Sequence, residues 1–404
     1  MLIRFSTILM VVFSFISCSS PSDSTVENEF PSFQLNESIV QKPEEVLKDV
    51  EFIPLKFPEG TPVQFFGFDP HISFAEDKIF LNTDPYMKPT IHAFDYQGNH
   101  LETIARQGGG PNEYGSISKM GVTKEGQLAM VSQNALLEFD EKMDIKNRLS
   151  LTSDGSYYAP ISLHPWDENH WFFALRGPAP DEEGYFQTFA LFNKDSLSYE
   201  FLPLKTFPAS GSGESGAIAP YKSGYLLNFG LSDTIFYYSE GKIRPLASIN
   251  SGDRSLPMEK RIQTEDKMDE ELEQMIATQP YDVNMGSIAV AGETIGTHVF
   301  GIKPMPLDLA AIQEMDEAPD DFPMYEVYIN PEKRAIKASK IVPGLSGFAF
   351  SDGEYFYRLL YTEVWNRLLE NKQLGEKHTQ SLQAASNELF DEEDPIIIRY
   401  KIQW

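Results

Sequence analysis

The densest run of side chains able to do chemistry is Arg106-Gln107-Gly108-Gly109-Gly110-Pro111-Asn112-Glu113-Tyr114. A cation precedes three glycines and a proline; a carboxylate and a phenol follow. Glycine lets the backbone approach a neighbour closely and proline fixes the exit, so the segment reads as a ligand loop or as a stiff corner between sheets. It is no dinucleotide turn, because Glu113 stands where the last glycine belongs and no helical pattern follows. His164-Pro165-Trp166-Asp167-Glu168-Asn169-His170 gathers two imidazoles and two carboxylates, and reads better as a polar turn at a sheet edge. Gly211-Ser212-Gly213-Glu214-Ser215-Gly216 approaches a nucleophile elbow, but Ala217 replaces its final glycine, which leaves a flexible loop.

Metal chemistry finds no better footing. The seven histidines are scattered, without ligand spacing on any one helix. The acidic clusters Glu265 to Glu273, Glu314 to Asp321 and Asp391 to Asp394 lack EF-hand spacing and its glycine. They read as solvated surface, and calcium has no support in their spacing. No catalytic residue, metal ligand or cofactor is assigned. A formal net charge of −27 makes a nucleic-acid partner a poor expectation.

The elements that must position these residues are strands. Aromatics make up 13% of the chain, with 27 Gly and 27 Pro, the composition of many short strands joined by tight turns. From about Val46, apolar runs pair around polar turns: Ile72 to Leu81, Ile91 to Ile104, Met120 to Val131 and Leu136 to Leu149. Farther on come Ala219 to Phe229, Ile235 to Leu246, Ile288 to Val299 and Phe348 to Leu359. Strand, turn, strand, repeated over most of the chain, predicts an all-β repeat. Ile91 to Phe94-Asp95 and Leu136 to Phe139-Asp140 share a pattern in which an aromatic packs inward and the aspartate bonds its own turn. Helical spacing interrupts the rhythm at Pro257 to Thr278 and Thr362 to Glu388, which predicts two helical insertions. The lone strands near Phe52 and at Ile396 to Ile402 are natural partners that would close a ring of sheets.

The start of the chain reads as an export signal: Arg4, then a nearly unbroken apolar run from Phe5 to Ile16, too short to span a bilayer. It ends Phe15-Ile16-Ser17-Cys18, which resembles the bacterial lipobox, with Cys18 as the lipidated residue and the sole cysteine. Residues 1–17 are therefore expected to be a lipoprotein signal peptide, 18–42 a flexible tether, and 43–404 one domain. Acyl chains on Cys18 would anchor the protein at a membrane of the cell envelope, the outer membrane being the expected one.

Several segments together resemble the six-bladed β-propeller lipoproteins. They are Glu51-Phe52-Ile53-Pro54-Leu55, Phe94-Asp95-Tyr96-Gln97-Gly98, the Arg106 to Tyr114 segment, Leu231-Ser232-Asp233-Thr234-Ile235-Phe236 and Asp394-Pro395-Ile396-Ile397-Ile398-Arg399-Tyr400. The glycine turn also looks, more distantly, like that of NHL repeats. The resemblance implies an all-β, six-bladed propeller of four-stranded antiparallel blades, its ring closed by N- and C-terminal strands, and it carries over no catalytic residue. Two functions follow. One is a noncatalytic binding or scaffold module for a protein or glycan, with Tyr157, Tyr158, Trp166 and Tyr185 as contact candidates. The alternative is a hydrolase or lyase, calcium-assisted or not, with polar groups converging on the channel. Binding is the favoured reading. Arg106, Gly108, Gly110, Pro111, Glu113 and Tyr114 form the possible binding or inter-blade motif, with Arg106 expected to pair with Glu113 and Tyr114 to pack beneath.

Overall fold

The computed structural model describes residues 30–61, 71–83, 88–153, 155–176, 185–206, 216–256, 281–302, 324–340, 350–372, 374–391 and 394–404. Six sheets stand in a ring as the six blades of a β-propeller. Blade I comprises His71–Phe74, Ile79–Asn82, Ile91–Phe94 and His100–Ile104, from the channel outward. Blade II follows with Ile117–Val122, Leu128–Ser132, Ala135–Phe139 and Ile145–Ser150. Blade III holds Ala159–Pro165, His170–Arg176, Phe189–Asn193 and Ser198–Phe201, and blade IV Gly216–Tyr221, Gly224–Phe229, Thr234–Ser239 and Lys242–Asn250. In blade V the innermost position is split into Tyr281–Asn284 and Ala289–Ala291, both pairing with Thr294–Ile302; Met324–Asn330 and Ala335–Lys340 complete it.

Blade VI is the clasp. Phe350–Ser351, Phe356–Leu360 and Ile396–Ile402 come from the end of the domain, and Leu47–Pro54 from its beginning lies outermost. Ile397 sits opposite Ile53 and Ile398 opposite Phe52, so the two ends zip together as their apolar patterns require.

The turn chemistry behaves as expected from the aspartates. Asp95 Oδ1 accepts from the Gln97 and Asn99 amides, both at 2.9 Å, and Asp140 Oδ1 accepts from Lys142 at 2.9 Å and Asp144 at 3.0 Å. Phe94 and Phe139, one residue earlier, are buried. Each aspartate closes a turn whose preceding aromatic anchors it between blades.

Two expectations need correction. Residues from 30 to 42 are folded, not a tether. Ser32–Gln34 adds a parallel strand to the outer edge of blade IV, and Val40–Gln41 does the same for blade V. Alternation explains it: Phe33 and Leu35 point inward and are buried in the cluster between blades IV and V, while Ser32 and Gln34 face out. The second correction concerns Thr362 to Glu388, which forms two helices, Thr362–Asn371 and Gly375–Ser386. Lys372 and Gly375 take positive φ, 49° and 79°, so the chain folds back and lays Trp365, Leu368, Leu374 and Leu382 on blade VI. Cys18 and the signal stretch, the loop from Gly211 to Ser215, the expected helix from Pro257 to Thr278 and the acidic clusters before residue 322 lie outside the described residues. No described helix is long and apolar enough to cross a membrane.

Candidate functional site

The six innermost strands converge on a central cavity of about 220 Å³. Each pairs on one side only, so alternate backbone N–H and C=O groups of its free edge face the cavity. Apolar side chains such as Ile72, Phe74, Met120 and Leu163 line it, together with Lys119, His164 and the hydroxyls of Ser73, Ser162, Ser287 and Ser351. Two of these serines act across blade boundaries. Ser162 Oγ accepts from the Ile218 amide of blade IV at 3.3 Å, and Ser351 Oγ accepts from the Val290 amide of blade V at 3.1 Å. Burial pushes the His164 imidazole down to about 4, so it is neutral at pH 7. The described lining residues include no carboxylate. Nor does any group of three or more potential metal ligands occur among the described residues.

The break in the innermost strand of blade V creates the most organised polar cluster. Gly286, with φ of 78°, turns the chain and puts Ser287 at the cavity wall. Its carbonyl accepts from Asn228 Nδ2 and Thr297 Oγ1, both at 2.7 Å. Its hydroxyl oxygen accepts from the His298 amide at 3.1 Å and lies 2.9 Å from His298 Nδ1. Beyond the ring, Nε2 lies 3.4 Å from Arg358 Nη2 and 3.7 Å from Glu326 Oε1, and Arg358 and Glu326 form a buried ion pair.

Serine, histidine and carboxylate in a row is the arrangement of nucleophilic catalysis. The proton is in the wrong place here. Arginine only donates, so Nε2 must accept from Arg358, which assigns the ring proton to Nδ1, the nitrogen facing Ser287. That nitrogen cannot take the serine proton. Burial, then the Arg358 charge, pushes the imidazole down to about 3. The row is a brace between blades V and VI.

Arg106 to Tyr114 lies on the passage from the outer strand of blade I to the innermost strand of blade II, and none of its residues lines the cavity. The segment closes on itself: the Tyr114 amide donates to the Arg106 carbonyl at 2.9 Å, and the Gly108 amide to the Tyr114 carbonyl at 3.0 Å. Glu113 does not pair with Arg106 as expected. It folds back over the turn and accepts from the Gly110 amide at 2.8 Å, and a Cβ on Gly108 would run into its carboxylate. Pro111 occupies the second position of that turn. Arg106 reaches instead to blade II, donating to the Met143 carbonyl and to Asp144 Oδ1, both at 2.9 Å. Asn112 joins it on Asp144 at 2.7 Å. Tyr114 is buried beneath, its hydroxyl donating to the Ile104 carbonyl at 2.7 Å.

The other sequence candidates are dispersed. His170 pairs with Asp167 at 2.8 Å and with Asn193 at 2.9 Å, whereas His164 lies at the cavity wall. Trp166 packs on Tyr225 and Tyr238, Tyr158 on Tyr199 and Phe201, and Tyr185 beneath the Lys205 ammonium. Tyr157 is exposed and donates to the Gln133 carbonyl at 2.8 Å. The sequence reading missed Glu326, Arg358 and Glu138. Their signal was a charge inside an otherwise apolar strand, as in Tyr325-Glu326-Val327 and Tyr357-Arg358-Leu359.

Such a ring of blades with a small hydroxyl-lined channel defines a six-bladed propeller protein. Within that class the chain belongs to the family described as domain of unknown function DUF4934, whose model matches residues 32–401. The match begins at the strand on blade IV and takes in every blade. A Bacteroides fragilis protein described as exported shares the fold at a TM-score of 0.65, with 14% identity over 93% of this chain and 100% of its own. More distant is a chain of the S. cerevisiae Dbp5, Nup159 and Gle1 assembly, at a TM-score of 0.41, 11% identity and coverage of 82% and 76%. A protein of unknown function from Bacteroides caccae scores 0.33, with 10% identity and coverage of 67% and 85%. No curated protein matches the sequence.

Proposed function

We propose that this protein is a noncatalytic binding module of the cell envelope, exported by its N-terminal signal, anchored through lipid on Cys18, and presenting its propeller to a protein or glycan partner. The observation that carries the reading is the Ser287–His298–Glu326–Arg358 row. It is the described arrangement nearest to a catalytic one, and Arg358 and burial hold its imidazole in a form that cannot accept the serine proton. The rigid ring around it suits presentation of a surface, with exposed Tyr157 at one rim position. The decisive experiment captures partners from native membranes with the full-length protein and measures metal in the same sample. One partner recovered to saturation, without stoichiometric metal, supports the module; retained metal with turnover of a glycan or ester substrate would replace it with the enzyme. Mass spectrometry of the mature N-terminus tests the anchor: an acylated peptide starting at Cys18, lost in Cys18→Ser.

A further inference from the structure

The rim between blades IV and V carries a charge that runs against the rest of the molecule. Across the chain, 60 Asp and Glu stand against 33 Lys and Arg. The balance inverts around the turns at Lys222, Glu240, Glu293 and Lys333. There the exposed cations are Lys222, Lys242 and Arg244 of blade IV with Lys333 and Arg334 of blade V, and the exposed carboxylates are Glu240, Glu293 and Glu332.

Contacts make the group one surface. Lys222 Nζ lies 5.3 Å from the centre of the Tyr221 ring and the Arg244 guanidinium 5.1 Å from that of Tyr237. The two rings are 6.1 Å apart. Lys222 also pairs with Glu332 across the blade boundary, which brings in Lys333 and Arg334 next in the chain. That pair cancels itself. Among the described residues, Lys242, Arg244, Lys333 and Arg334 make no ion pair.

The N-terminal segment leaves from this same rim. The Pro31 carbonyl accepts from the Ser248 amide of blade IV at 3.0 Å, and Phe30, Phe33 and Arg334 line a common cavity of about 270 Å³. Phe30 stands twelve residues after Cys18. That length of chain reaches at most about 40 Å. An acylated Cys18 thus brings the bilayer to this rim before any other. At physiological ionic strength an exposed charge acts over about 8 Å, so headgroups feel the nearest side chains and not the net −27. Lys and Arg clustered beside a membrane anchor are drawn to anionic lipid.

We propose that the rim of blades IV and V docks on anionic phospholipid headgroups of the bilayer that holds the anchor, through Lys242, Arg244, Lys333 and Arg334. The proposal rests on the lipid anchoring at Cys18 and adds an orientation to it. Blades I and II, opposite in a ring of six, stand farthest from the membrane.

The test reconstitutes the full-length acylated protein in phosphatidylcholine vesicles carrying a headgroup-linked quencher, with or without about one-third phosphatidylglycerol. Cys18 is the sole cysteine, so once it is acylated a single introduced cysteine takes the fluorophore, Ser223→Cys on the rim or Gln97→Cys in a turn of blade I. Phosphatidylglycerol is expected to raise quenching about threefold or more at the first label and to leave the second unchanged. About 0.5 M salt should remove the gain. So should Lys242→Gln, Arg244→Gln, Lys333→Gln and Arg334→Gln together, with an unaltered circular dichroism spectrum. Equal quenching in the two vesicles, a gain that survives the four substitutions, or a larger gain at the Gln97→Cys label would overturn the proposal. Neutralisation of the cations by Asp23, Glu27 and Glu29, between Cys18 and Phe30, would give the first of these results. Flotation with pure phosphatidylcholine vesicles, which offer the cations no net counter-charge, reads the anchor alone. Without an anchor, the phosphatidylglycerol gain at Ser223→Cys still reads the rim, so the two failures are told apart.

Discussion

Blades I to III and blades IV to VI share a four-stranded plan but end differently at the rim. The outer strands of blades I to III, His100–Ile104, Ile145–Ser150 and Ser198–Phe201, have no further strand beside them among the described residues. Ile145–Ser150 and Ser198–Phe201 alternate exposed with half-buried residues, Lys146 and Arg148 among the exposed ones, whereas His100–Ile104 presents three exposed residues in a row, Leu101 to Thr103. Blades IV and V carry the added N-terminal strands, and helix Gly375–Ser386 packs against the outer strand of blade VI. The difference teaches that one half of the ring is finished locally, while the other is finished by chain from its two ends. A defect at the ends should therefore loosen blades IV to VI first.

Phe33→Ala tests this most severely. Its ring is buried between blades IV and V although it belongs to a strand at the outer edge. Removing a buried phenylalanine costs about 3–5 kcal/mol, which denaturant unfolding should register. Hydrogen exchange should quicken at Ser248 to Asn250, where that strand pairs, and not in blade II. A cost below about 1 kcal/mol would make the added strand an ornament and erase the contrast.

The opposite half is probed by Glu138→Ala. Glu138 is buried between blades II and III, where it accepts from Trp171 Nε1 at 2.8 Å, Asn147 Nδ2 at 2.7 Å and Lys194 Nζ at 3.1 Å. Burial works to raise its pKa, but those three donors outweigh it and hold the carboxyl below its ordinary range. Alanine strands a buried indole N–H and an ammonium, so a loss of about 2–3 kcal/mol is expected. Exchange should rise in blades II and III and leave the clasp of Ile396–Ile402 protected. Global loosening would show that the halves are not independent.

Acid should touch both halves at once. His92 in blade I and His164 in blade III are held at about 4, and His298 in blade V at about 3, each chiefly by burial. A histidine depressed in the folded state binds its proton in the unfolded chain first. Stability from these three is complete above pH 6.5 and is lost as the pH falls from there toward 4. Asp394, pushed up to about 6 chiefly by burial, opposes them, since its protonated form favours the fold between about pH 4 and 6. The unfolding midpoint should fall on acidification, and fall more steeply in Asp394→Asn. A midpoint that rises between pH 6.5 and 5 would contradict this assignment.

How far the sequence disclosed these features depends on whether the signal was local. The hairpins, the aspartate turns after Phe94 and Phe139, and the pairing of Ile53 with Ile397 were legible because each rests on short-range alternation or on an obvious orphan strand. Phe33 and Leu35 were legible in principle, two residues apart, but the polar and acidic neighbourhood outweighed a pattern only three residues long. The Ser287 cluster was not legible. Its members come from four separate strands or turns, and only folding brings His298 between Ser287 and Arg358. Lys119 was equally silent, because a lysine in a strand ordinarily marks a solvated face.

Arg106 gives the smallest expected effect and the sharpest reading of the glycine turn. Its guanidinium spans the boundary between blades I and II, yet Arg106 and Asp144 are each about a third to a half exposed, 34% and 47%. Solvent screens such a pair, so Arg106→Met should cost about 1 kcal/mol, including the bond to the Met143 carbonyl. Asp144→Asn should cost less, since the amide oxygen still accepts. Because the segment clamps the outer hairpin of blade II and stays out of the cavity, neither change should alter capture of a partner. Should Arg106→Met keep full stability but lose the partner, the turn is a recognition loop, and blade I would then be finished for binding where blade IV is finished for closure.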